Sequence, residues 1–230
     1  MLSKQQQKSF IFALIMCVVC GVFLTGASVG LKSRQERNIV IDKQKNILKS
    51  LGFVEAGRKY TSEEVEAMYQ SKVMSLWVEP SGQLKQTETE GSLPIYVVGS
   101  LGNVEKYAVP FSAYGLWSWV YGYVALEGDG TTIKGLTVYQ HGETPGLGGE
   151  VEKAWFQNQY VGKKIAKPNG QFVSVGIVKG KAVEKVSASE LPYYVDGISG
   201  ATITSVGMDK YMKEGLQQYE PFAKRLRKGR

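Results

Sequence analysis

No charged side chain occurs between Ser9 and Leu31, and most of that run is Phe, Ile, Leu, Met, Val, Cys, Ala or Gly. A helix rising about 1.5 Å per residue needs about 20 such residues to span a hydrocarbon core of about 30 Å. A cleaved leader carries a shorter apolar stretch of about 7–15 residues, and Gly26, Ala27 and Ser28 make only a weak cleavage site. The sequence therefore predicts a retained single-span membrane anchor. Flanking charge does not fix its direction. Lys4 and Lys8 precede the span, whereas Lys32, Arg34 and Arg37 follow it, and a literal positive-inside count keeps the following domain in the cytoplasm. Cys17 and Cys20 lie inside the apolar run, where they read as small residues facing lipid or a neighbouring helix. A redox or metal pair belongs on a polar loop or helix start.

The net charge of +7 belongs to the chain ends. Lys4 and Lys8 supply two of the excess charges and Lys224, Arg225, Arg227, Lys228 and Arg230 supply five, which leaves residues 9–220 neutral. A nucleic-acid footprint needs a basic face on the folded domain, so nucleic acid is not an expected partner. Two cysteines and one histidine also exclude a disulfide framework and a His-rich metal site.

Five segments are expected: a polar start (1–8), a transmembrane helix (9–31), a helical linker region (32–72), a domain (73–220) and a basic tail (221–230). Residues 34–51 repeat apolar positions at helical spacing up to Gly52. Thr61 and Glu64 have the spacing of a capping box, predicting a helix that carries Val65, Met68 and Tyr69. Beyond residue 73, short runs rich in Val, Ile, Tyr and Trp alternate with turn residues. Four hairpin-like pairs result, the last joining FVSVGIVK to AVEKV across Gly180. The expected class is α+β, an antiparallel sheet with flanking helices. A final helix is predicted from about Thr204 to Tyr219, ended by Pro221, with the basic tail solvated. Tyr121 and Tyr123 are core candidates.

Two loops exceed what plain connections need. His141–Gly149 holds four glycines in nine residues, which lets backbone amides approach a ligand; the alternative is a tight turn after a strand. Asp196–Thr202 leads straight into the last helix. Its glycines and hydroxyls sit where unpaired helical amides and a partial positive charge suit a phosphate. The alternative is ordinary capping by Ser199, Thr202 or Thr204. No lysine ends this loop, so it is not a nucleotide-hydrolysing P-loop.

DGISGAT (196–202) resembles the flavinylation motif of the FMN-binding domain family, in which the last threonine carries FMN through a phosphoester. With HGETPGLGGEV (141–151) and GLWSWVYGYVALEGDG (115–130), the chain is similar to the members of that family that serve as the C subunits of Na+-translocating NADH:quinone reductases. The related G subunits of Rnf electron-transport complexes share the anchor and the SGAT and ETPGLG patterns. The resemblance implies a covalent FMN on Thr202, with Asp196, Ser199, Gly200 and Ala201 serving recognition or access. It also implies that Leu116, Trp117, Glu143, Thr144, Gly146 and Leu147 border the flavin ring, although Trp117 alone would read as core. Thr204 and Ser205, at the helix start, are candidates to bond the phosphate. An electron-relay role follows, in a complex that passes electrons from NADH to ubiquinone and pumps Na+. The implied partners are the other subunits of that complex, a separate Mg-dependent transferase that draws FMN from FAD, and the membrane. The family places the flavin domain outside the bacterial inner membrane, on the periplasmic side, against the literal charge count. Two alternatives stay open: an Rnf-type subunit, and an anchored binding domain that never carries flavin.

Overall fold

A computed structural model describes residues 3–55 and 57–229. The chain divides into two compact units, Met1–Lys43 and Gln44–Arg230. Helix α1 (Lys4–Ser50) begins in the first and ends in the second. The two helices expected at 9–31 and 34–51 are one, since no Gly or Pro separates them. It is the one described helix long and apolar enough to cross a membrane.

In the second unit the end of α1 buries Ile47, Leu48 and Leu51 completely. Gly52, at φ +79°, stops it with paired bonds, Gly52 N–H to Lys49 O and Phe53 N–H to Leu48 O. Helix α2 (Ser62–Lys72) starts on the expected capping box. The Thr61 hydroxyl accepts from the Glu64 amide at 3.2 Å and the Glu64 carboxylate accepts from the Thr61 amide at 2.8 Å.

Six strands follow: β1 (Met74–Val78), β2 (Leu84–Lys85), β3 (Leu93–Ser100), β4 (Asn103–Tyr114), β5 (Trp119–Glu127) and β6 (Ile133–Gln140). They form an antiparallel sheet in the order β2-β1-β3-β4-β5-β6. Alternation puts Val109, Phe111 and Ala113 of β4 and Val120 and Val124 of β5 in the core. The other parity places Tyr121 and Tyr123 on the opposite face. Tyr123 is buried there, stacked at 5.4 Å on Tyr139, and Tyr121 is half-buried.

Short helices α3 (Ala154–Gln157) and α4 (Ala182–Lys185) and strands β7 (Gly176–Val178) and β8 (Tyr194–Asp196) lead into α5 (Thr202–Gln218) and α6 (Glu220–Lys228). The fourth expected hairpin does not form. β7 pairs in parallel with β8, from Gly176 opposite Tyr194 to Val178 opposite Asp196. The AVEK segment is helical instead, its first amide, that of Ala182, bonded at 2.7 Å to the Asp196 carboxylate. Helix α5 packs against β4 and the core through Ala201, Met208, Met212 and Leu216, spaced close to the helical period.

Pro221 does not leave a solvated tail. It occupies the first turn of α6, where a missing N–H costs nothing. Phe222, 4% exposed, meets the Tyr107 ring edge-on at 5.1 Å. Arg227 donates to the Gly130 carbonyl at 2.6 Å and pairs with Glu220.

Candidate functional site

The link between β4 and β5 is Gly115–Ser118, closed by the Gly115 amide on the Ser118 carbonyl at 2.9 Å. Three of its amides point at one side chain. Glu143 Oε1 accepts from Trp117 (2.8 Å) and Ser118 (3.0 Å). Its Oε2 accepts from Leu116 (3.2 Å) and from the Thr204 hydroxyl (2.7 Å). Glu143 is 5% exposed. Burial alone would raise its carboxyl pKa, but the Thr204 hydroxyl and the three amides outweigh burial and hold it below the ordinary glutamate range.

Two glycines make room for this carboxylate. A Cβ on Gly115 would lie 2.6 Å from Oε1, and one on Gly148 would overlap Oε2. Gly148 of the 141–149 loop thus brings backbone close to a carboxylate of the protein itself. The Gly142 amide adds a 2.6 Å bond to the Ser118 hydroxyl. His141 is engaged at both ring nitrogens, Nδ1 with the Glu143 amide and Nε2 with Glu152 at 3.2 Å.

The start of α5 completes the arrangement. The Ser205 amide bonds to the Ala201 carbonyl at 3.0 Å, so Thr202 is the first helical residue, two earlier than expected. No side chain caps this end. Thr204 is committed elsewhere: it is buried and its hydroxyl donates to Glu143. Ser205 is buried too, but it borders the larger cavity, and its hydroxyl only accepts, from the Ile198 amide at 3.4 Å. Thr202 is exposed. Ahead of it Gly200 turns the chain at φ +73°, where a Cβ would also lie 2.7 Å from Leu147 Cδ2.

Thr202 lies between two cavities. One, of about 270 Å³, is bordered by Leu116, Trp117, Glu143, Thr144, Leu147 and Gly200–Thr204. The other, of about 1280 Å³, runs from Gly146 past Trp155 and Ile177–Lys181 to Asp196–Gly200 and Val206. The eleven residues singled out in the sequence therefore gather around one helix start, each bordering one cavity or the other, with the Ala201 side chain also entering the core. Trp117 is 68% exposed and is not a core residue. Asp196 and Ser199 border the larger cavity; Asp196 is held by the Gln159 side chain on its amide (2.8 Å) and by the Ala182 amide on its carboxylate.

Trp155, Ile177, Val206 and the lysines Lys179, Lys181 and Lys185 also line the larger cavity and were not singled out. Ile203 and Val206 carried a legible signal. They are apolar residues on the solvent side of an amphipathic helix, 60% and 62% exposed.

An exposed threonine on an uncapped helix start, flanked by two clefts beside an antiparallel sheet, makes this an anion-binding class of site. Residues 115–217 match the FMN-binding domain family, a span that opens at the Gly115 link and takes in both glycine loops and nearly all of α5. The chain is 33% identical to the C subunit of the Na(+)-translocating NADH-quinone reductase of Yersinia pestis, covering 96% of this chain and 93% of that protein. It is 34% identical to the corresponding protein of Pseudomonas aeruginosa, over 96% of each. The crystal structure of the C subunit from Parabacteroides distasonis superposes with a TM-score of 0.70 at 34% identity, covering 84% of this chain and 96% of that one. The chain belongs to the family of C subunits of Na+-translocating NADH-quinone reductases.

Proposed function

We propose that this chain is the electron-relay subunit of a membrane Na+-translocating NADH:quinone reductase, carrying FMN through a phosphoester to the Thr202 hydroxyl. The observation that carries the reading is the first turn of α5. It has an exposed threonine, no side-chain cap and an open cleft on each side. The helix-start partial charge favours a phosphate there by about 0.3–1 kcal/mol.

The residues present fit the cofactor. Leu116, Trp117 and Leu147 offer exposed apolar surface for a ring system. Thr144 and the amides around Gly146 offer polar contacts, and Gly200 and Ala201 keep the threonine accessible. Bound flavin supplies the electron uptake and release. Glu143 is a positioning residue in this reading. Both its oxygens are committed to the protein, so it sets the Leu116–Ser118 link against the start of α5.

His141, with both ring nitrogens engaged, is not available as a base for Thr202. The family resemblance implies a separate Mg-dependent transferase as the source of the ester. Attack by the Thr202 oxygen on the FMN phosphorus of FAD breaks the pyrophosphate and releases AMP, and the hydroxyl proton leaves to the transferase. Helix α1 anchors the chain in the inner membrane, with the flavin domain on the periplasmic side, and the other subunits of the complex are its redox partners. An Rnf-type role is less well supported, because the relatives that cover 96% of the chain are quinone-reductase subunits.

Co-expression with the transferase and a denaturing gel under ultraviolet light test the reading. A fluorescent wild-type band that vanishes in Thr202→Ala is expected. A dark wild-type band would favour an anchored domain that binds a protein partner without flavin.

A further inference from the structure

The basic C-terminal segment has no part in the flavin site, yet it is folded. Helix α6 lies beside the 164–171 segment, and together they enclose a cavity of about 640 Å³ on which Lys164, Lys167, Lys224, Arg227 and Lys228 converge. Among the described residues, no carboxylate lines it. Two of the five cations are neutralised: Lys167 pairs with Glu190 at 3.2 Å, and Arg227 is held by Glu220 and the Gly130 carbonyl. Burial raises the Glu220 carboxyl pKa, and Lys224 is near enough to oppose that rise, but it forms no ion pair with Glu220. Among the described residues, Lys164, Lys224 and Lys228 have no ion-pair partner.

The backbone under these lysines is fixed. The Lys164 amide bonds to the Pro192 carbonyl at 2.9 Å, and the Thr132–Lys164 bridge ties the segment to the sheet. The turn beyond it is closed by Gly170 N–H on Lys167 O (2.8 Å) and Lys167 N–H on Gln171 O (2.9 Å). Phe222 and Arg227 pin α6. Three lysines without an ion-pair partner among the described residues thus border one concavity, on a body whose residues 9–220 sum to zero charge. Like charges so placed repel unless an anion sits between them. A concave trio matches one compact anion of multiple charge better than carboxylates spread along a flat surface.

We infer that this cavity binds a phosphate group, presented as a lipid headgroup or as a free phosphate-class anion, between Lys164, Lys224 and Lys228. The inference is independent of flavin on Thr202.

Amine-reactive labelling of the full chain, read by mass spectrometry, tests it in two arms. In detergent, inorganic pyrophosphate is titrated; in lipid nanodiscs, phosphatidylcholine alone is compared with phosphatidylcholine containing phosphatidylglycerol. Labelling of Lys164, Lys224 and Lys228 should fall about threefold or more relative to the exposed Lys45, Lys49 and Lys210. Lys164→Gln should raise the pyrophosphate concentration for half-protection of Lys224 and Lys228 about three- to tenfold. Protection by pyrophosphate alone identifies a free anion, and protection only in phosphatidylglycerol discs identifies a headgroup. The inference is overturned if neither probe protects the three lysines, if all six are protected alike, or if Lys164→Gln leaves the titration unchanged.

Discussion

Glu143 is the residue whose removal should hurt this domain most for its size. Its carboxylate accepts four hydrogen bonds, from Leu116, Trp117, Ser118 and Thr204, on segments 25–27 and 61 residues away in sequence. Hydrogen bonds to a charged acceptor contribute about 1.5–3 kcal/mol each, and a buried donor left unpaired costs about 1–3 kcal/mol. The link amides are only partly buried, so water recovers some of that loss in Glu143→Ala, and a net destabilisation of about 3–5 kcal/mol is expected. Glu143→Gln is the sharper perturbation. Its carbonyl oxygen can replace Oε1 for Trp117 and Ser118. Its NH2 then falls on the Oε2 site, where the Thr204 hydroxyl can rotate to accept but the Leu116 amide meets a second donor. One weak bond is lost along with the charge, and about 1–2 kcal/mol is expected. The assay is denaturant unfolding of the full chain in detergent followed by tryptophan fluorescence, since Trp117 lies on the link itself. A cost below about 1 kcal/mol for Glu143→Ala, or a glutamine variant as damaged as the alanine one, would refute the strut.

The remaining expectations are shorter. Because the Glu143 carboxyl pKa is lowered in the folded state, its stabilisation is complete above the unfolded value of about 4.3 and is lost as pH falls through the lower folded value. The stability gap between wild type and Glu143→Gln should stay constant near neutrality and shrink below about pH 4 in acid titrations. Gly200→Ala forces a Cβ into a left-handed backbone and against Leu147. It should cost about 1–2 kcal/mol in denaturant melts and lower the fraction of chains that acquire flavin fluorescence. Phe222→Ala removes a ring buried against Tyr107 and should destabilise the body by about 3–5 kcal/mol by the same melts, which a solvated tail would not do.

What could be read in the sequence was local. The capping box at Thr61, the hairpins turning at Gly99–Gly102 and Gly128–Gly130, and the stop at Gly52 each declare themselves within a few residues. The fourth hairpin failed because Gly180 looks like any turn glycine. What decides the strand partner is the Asp196 carboxylate on the Ala182 amide, fourteen residues apart. Pro221 looked like a terminator because the start of a helix and the end of one are both places where proline is tolerated. At the site, the residue types were legible but their duties were not. The glycines of the 141–149 loop suggested approach to a ligand, and in the structure one of them, Gly148, joins Gly115 in admitting Glu143. Thr204 sits where a phosphate ligand should, yet a bond to Glu143, 61 residues away in sequence, uses its hydroxyl proton.

Peptide mass mapping of the protein purified from membranes that contain the transferase measures the central claim most directly. The peptide spanning Thr202 should carry the mass of FMN less one water, with fragmentation placing the addition on that threonine. An unmodified peptide with flavin absent, or flavin attached to a different residue, would contradict the account.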